Sequence, residues 1–228
     1  DAAHCRTPTW SRARLPVGAD GLCQSRTGAR GECDGVDPAY ALDPDGLAAL
    51  GTKDIELTVA AIRAHGNTLA GADPDKWGAA KRAALTEFLE DFRRHPPGRA
   101  EGPNKTQPRY HAAALPDLPF PDQAFDLVLS GHLLFCYAAV GEGGIADSAS
   151  AFDLAWHLEA IDELARVTRH ELRLYPVSRC DQPPGSGDHP YLAPVIARLA
   201  EHGFTPTRAT PDYDQGVDPE GALLIATR

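Results

Sequence analysis

Two segments of this 228-residue chain pair residue types and spacings that could hold a ligand, and a third could act on it. In Val17-Gly18-Ala19-Asp20-Gly21 a short predicted strand, Arg14 to Val17, runs into a glycine loop. Glycines there let the backbone turn tightly and approach a ligand without a side chain in the way. Asp37 follows about one strand–helix–strand half-unit later, at the end of a strand predicted over Gly31 to Val36. A carboxylate in that place can accept hydrogen bonds from both hydroxyls of a ribose. His132 follows the apolar run Phe125-Asp126-Leu127-Val128-Leu129-Ser130. Imidazole titrates near neutrality, so a histidine at a strand's carboxyl end is suited to general-base work. The competing readings are an ordinary turn, a surface aspartate and a loop histidine with no chemical role.

These residues need strands to present them. The run from Phe125 is nearly all apolar, as in a central parallel strand covered on both faces. Further strands are predicted over Tyr110 to Leu115, Glu171 to Val177, Phe204 to Ala209 and Ala222 to Thr227. Helices are predicted over Leu22 to Thr27, Thr52 to His65, the segment after Asp73-Pro74, Asp153 to Val167, and Tyr191 to His202. In the fourth, Leu154, Leu158, Ile161 and Leu164 make one stripe. Asp73 can cap its helix, Pro74 suits the first turn, and Gly203 is well placed to end the last helix. Strands alternating with helices imply a mostly parallel sheet. The final two strands have no helix between them and should pair antiparallel.

Bulk properties narrow the function classes. The net charge of −10 would repel phosphate backbones over most of the surface, so nucleic acid is not an expected partner. No apolar stretch approaches membrane-spanning length and the N-terminal segment lacks the apolar core of a secretory signal, so a cytoplasmic protein is expected. Cys5, Cys23, Cys33, Cys136 and Cys180 are odd in number and widely spaced. They make neither a zinc pattern nor a disulfide framework. The nine histidines offer no metal-ligand spacing, and His157 and His170, on or beside a helix, read as structural.

The stretch Leu115-Pro116-Asp117-Leu118-Pro119-Phe120-Pro121-Asp122-Gln123-Ala124-Phe125-Asp126-Leu127-Val128 resembles the LPFPD-x-x-FDLV signature of class I S-adenosylmethionine-dependent methyltransferases. The likeness is to the broad bacterial group related to ubiquinone-biosynthesis methyltransferases. Val17 to Gly21, Gly35-Val36-Asp37 and the helix IDELARVTR followed by a strand are similar to that group in order and spacing. The resemblance covers roughly Arg14 to Arg228, with a helical insertion over about residues 44–108. It implies S-adenosylmethionine as cofactor, with Gly18 and Gly21 under its amino-acid part, Asp20 partly replacing the acid the family has before the loop, Asp37 on its ribose and Leu115 near its adenine. Ser130 to His132 would then face the methyl group and the acceptor, a small molecule or a protein side chain. Tyr137 would bound the pocket or simply pack.

The implied fold is a single α/β domain. It is a three-layer, Rossmann-like sandwich with a seven-stranded, mostly parallel sheet and an antiparallel last strand. The family usually has an acid before the first glycine and three glycines in the loop. Here Pro16 and two glycines stand there, and Ala112, Ala113 and Ala114 replace the acid expected before the adenine contact. The alternative is therefore a non-catalytic binding or scaffold protein on the same fold.

Overall fold

The computed structural model describes residues 22–26, 32–65, 73–97, 108–147, 150–182, 185–211 and 221–228. The chain divides into two compact units. The first is Asp1–Cys23 with Cys33–Ala114, and the second is Gln24–Glu32 with Leu115–Arg228. Strand β1 (Leu22–Arg26) spans that division. It occupies the place where a helix is predicted. Tertiary context overrides the helical preference of a mixed pentapeptide, Leu-Cys-Gln-Ser-Arg, that has no clear periodicity.

In the first unit, which holds all of β2 (Glu32–Val36) but its first residue, β2 pairs in parallel with β3 (Tyr110–His111), with Gly35 opposite Tyr110 and Val36 opposite His111. β3 is shorter than predicted because the Ala113 N–H turns back onto the His111 carbonyl (3.0 Å). Between these strands lie a 3-10 turn, Pro38–Ala41, and two helices, α1 (Pro44–His65) and α2 (Pro74–Arg94). α1 begins eight residues before the predicted start at Thr52. Its Asp43-Pro44 entry repeats the Asp73-Pro74 entry of α2, with the Asp43 carboxylate accepting from the Gly46 N–H (2.7 Å). The two helices pack on each other through Ile55, Val59, Leu85, Phe88, Leu89 and Phe92. Burying each such side chain contributes about 1.5–3 kcal/mol. Tyr40 joins this core, its ring 5.1 Å from Tyr110 and 5.8 Å from Phe92.

In the second unit, β4 (Phe125–Gly131) pairs in parallel with β5 (Thr168–Tyr175). Then β7 (Leu223–Thr227) runs antiparallel to both β5 and β6 (Thr205–Ala209). The order is therefore β4-β5-β7-β6, with only β7 reversed. The antiparallel final strand agrees with the prediction. Taken by itself this unit carries four strands, three of them running the same way, and the protein is mixed α/β. Helices α3 (Leu154–Val167) and α4 (Leu192–Glu201) pack against each other, α3 also on β5 and α4 on β6. Asp153 caps α3 by accepting from the Trp156 N–H (2.9 Å). Gly203, at φ +81, lets the chain leave α4. No residue separates α3 from β5. Thr168 caps the helix with its hydroxyl on the Leu164 carbonyl (2.7 Å) and is also the first strand residue, so β5 starts three residues earlier than predicted.

The LPFPD turn is tied to α3 by two side chains, Arg166 and Glu163. Arg166 donates to the Phe120 carbonyl (2.8 Å), the Leu118 carbonyl (3.3 Å), Asp122 (2.8 Å) and Glu163 (2.6 and 2.7 Å). Glu163 in turn accepts from the Leu118 N–H (2.8 Å). Two of the sequence segments that carry the family resemblance, LPFPD and IDELARVTR, are thus joined physically. Among the described residues no helix is long and apolar enough to cross a membrane.

Candidate functional site

At the carboxyl end of β2, Asp37 is buried, 4% exposed, and its backbone N–H donates to the His111 carbonyl (3.2 Å). Its carboxylate caps the turn that follows, Oδ1 accepting from the Ala39 N–H at 2.7 Å. Burial pushes this acid up to about 7, and the Ala39 N–H offsets only part of that. The same charge, after burial itself, raises the Tyr40 phenol. One turn back along β2, Asp34 pairs with His111 Nε2 at 3.0 Å. The unit therefore holds a desolvated acid at a strand's end, fixed by a local turn.

At the carboxyl end of β4 the chain is held differently. Ser130 is buried, 4% exposed, and its Oγ has no hydrogen-bond partner among the described residues. His132 adopts φ +59, a left-handed conformation that non-glycine residues seldom take. Its N–H donates to the Tyr175 carbonyl (2.7 Å) at the end of β5, and its ring meets the Tyr175 ring edge-on at 5.3 Å. Phe135, at φ +69, is a second left-handed residue three positions on. Each costs about 1–3 kcal/mol and persists only where surrounding contacts over-determine it.

Those contacts come from α3 and the segment after β5. The Phe135 N–H donates to His157 Nε2 (2.9 Å), and His157 Nδ1 donates to the Asp153 carbonyl (2.8 Å). Both nitrogens are thus committed and the ring is neutral, with burial lowering its pKa. The structural reading of His157 agrees with this. His189 lies 5.1 Å from the Phe135 ring and accepts at Nδ1 from the Tyr191 N–H (3.1 Å). Burial, then the neighbouring His157 and Arg179, push it down to about 4. Gly143, at φ +105, passes so close that a Cβ there would reach His189 Nε2 (2.6 Å). At Gly144 a Cβ would run into the Ala138 carbonyl.

No family model matches the chain, and no curated protein matches it. Among solved structures it is similar to magnesium protoporphyrin IX methyltransferase from Synechocystis PCC 6803, determined with bound SAM. The identity is 15% and the TM-score 0.34, over 78% of this chain and 79% of that one.

Of the residues singled out from sequence, Asp37 belongs to the first unit and Leu115, Ser130 and His132 to the second. Leu115 is buried, 8% exposed. Gly18, Asp20 and Gly21 lie outside the described residues, as does the strand predicted over Arg14 to Val17. Because Leu22–Arg26 is a strand, those glycines immediately precede a strand instead of a helix. Tyr137 packs on Phe152 at 6.3 Å, and its carbonyl accepts from Ser150 Oγ (2.7 Å). His170 is exposed, 3.6 Å from Asp126. No group of three or more His, Cys, Asp or Glu among the described residues is placed to hold a metal. Sequence reasoning missed Tyr175 and His189. Tyr175 could have been found as the last residue of a strand adjoining the one that leads to His132. His189 carries no local signal.

Proposed function

We propose that the protein transfers a methyl group from S-adenosylmethionine to a small-molecule or protein acceptor. The observation that carries this reading is Asp37. It is a buried carboxylate at the end of β2, held by a short turn and in need of a partner that favours its charged form. The antiparallel β7 between β5 and β6, and the LPFPD-x-x-FDLV resemblance clasped by Arg166, support the same reading. We take the fold to be Rossmann-like and three-layered, with a seven-stranded sheet.

The described residues fit an adenosyl group chemically. Asp37 commits Oδ1 to the Ala39 N–H, and its other oxygen is the natural acceptor for ribose hydroxyls. Leu115 offers an apolar wall for the adenine. The Ser130 hydroxyl, without a partner among the described residues, offers a polar contact. The glycine loop, Gly18 to Gly21 with Asp20, is assigned to the amino-acid part. When bound, the cofactor supplies a sulfonium that is already a good leaving group, so alignment provides much of the rate. His132 accepts the proton when the acceptor atom must lose one. Its left-handed backbone and the Tyr175 contacts fix its ring.

The test is calorimetric titration of the full chain with S-adenosylmethionine and with S-adenosylhomocysteine. Binding is expected for both, weakened at least about tenfold in Asp37→Ala, where the hydrogen bonds to a charged acceptor are lost. It is also expected to weaken as pH falls below 7 and Asp37 takes up a proton. No binding of either compound at millimolar concentration would leave a non-catalytic protein on this fold.

A further inference from the structure

Cys136, in the loop after β4, and Cys180, in the segment after β5, bring their Sγ atoms to 3.1 Å. That is closer than two sulfurs rest in ordinary contact, yet longer than a covalent bond. Their backbones are held in place by independent interactions. The Cys180 N–H donates to the Gly143 carbonyl (2.7 Å), and the Ile145 N–H to the Cys136 carbonyl (2.8 Å). The Gly141 N–H donates to Asp181 Oδ2 (3.3 Å), and Asp181 is gripped by Arg179 at 2.8 and 3.0 Å. Bonding the sulfurs therefore needs a movement of about 1 Å, within reach of side-chain rotation. Cys136 is buried and Cys180 half-buried, so an oxidant meets Cys180 first.

We propose that Cys136 and Cys180 form a reversible redox pair, converted to a disulfide by hydrogen peroxide. The Cys180 thiolate attacks one peroxide oxygen. An S–O bond forms, the O–O bond breaks, and the departing hydroxide takes a proton to become water. The Cys136 sulfur then attacks Cys180 Sγ; the S–S bond forms, the S–O bond breaks, and a second water leaves with the remaining thiol proton. Two thiols lose two electrons and one peroxide becomes two waters. A dithiol reductant reverses the bond by thiol–disulfide exchange. The crosslink spans 44 residues, including all of α3 and β5, and ties down the loop that begins at His132. Closing so long a ring constrains the unfolded chain strongly. This pair is independent of the methyl-transfer reading.

The experiment treats the full chain with hydrogen peroxide near stoichiometry, blocks remaining thiols, digests it without reductant and maps the peptides by mass. The expected product is a linked pair of peptides carrying Cys136 and Cys180, released by dithiothreitol. The melting temperature should rise by about 5–10 °C on oxidation and return on reduction. Cys180→Ser, altering only the half-buried partner, should abolish that rise. Links confined to Cys5, Cys23 and Cys33, a stable sulfenic acid on Cys180 with no link, or a rise that persists in Cys180→Ser would each overturn the proposal. The mapping is done on the natural sequence, so a variant that folds poorly leaves the result readable.

Discussion

The end of β2 and the ends of β4 and β5 both bury titratable groups, but of opposite kinds. The first unit hides an acid, Asp37, and the second hides two imidazoles, His157 and His189. All three are forced toward their neutral forms by loss of water. The effect on stability has opposite sign in the two places. Between pH 3.8 and about 7 the unfolded chain has already released the proton that folded Asp37 keeps, so that contribution to stability shrinks as pH rises. Between about 4 and 6.5 the unfolded chain binds a proton that folded His189 refuses, so its contribution grows as pH rises. A ligand that favours ionised Asp37 would relieve the first cost. Nothing comparable is asked of the imidazoles, whose hydrogen bonds lock a loop.

The sharpest way to break the contrast is Asp37→Asn, which keeps the shape and removes the charge. Urea melts should show the variant gaining about 4 kcal/mol over the natural chain at pH 8 and little at pH 4. An equal effect at both pH values would show that Asp37 is not held near 7. Next in size is His189→Gln, which can still accept from the Tyr191 N–H. The loss of stability on going from pH 6.5 to pH 4 should be smaller than in the natural chain by about 2 kcal/mol. An unchanged acid limb would remove His189 from the account. The smallest effect separates backbone strain from side-chain role. His132→Gly should be more stable than His132→Ala by about 1 kcal/mol, because only alanine keeps a Cβ at φ +59. Equal denaturation midpoints would mean that the left-handed conformation stores no strain.

Much of this architecture was readable from the chain wherever local signals agree. In α2 and α3 a capping aspartate precedes a periodic apolar face, and both helices form where that pattern says they should. In α4 the apolar spacing and Gly203 do the same work. An unbroken apolar run is enough for β4. The start of α1 was missed because Gly46 and Gly51 weaken the helical pattern after Asp43-Pro44, though the cap is of the same kind. Leu22–Arg26 was missed because its strand state is imposed by tertiary context. Of the candidate site, Asp37 stood out by its type and its place after a strand, but its burial depends on how the segment 38–41 turns. The Cys136–Cys180 approach had no sequence signal, since it arises from two loops whose hydrogen bonds form only in the folded unit.

The direct passage from α3 into β5 has a consequence for how this unit tolerates change. With no spacer to absorb an extra residue, an insertion at Thr168 must either unwind the cap or slide the strand by one position. Sliding would turn Leu172 and Leu174 out toward water and drive the Arg173 charge inward. Lineages of this protein should therefore vary in length almost anywhere before they vary at that joint.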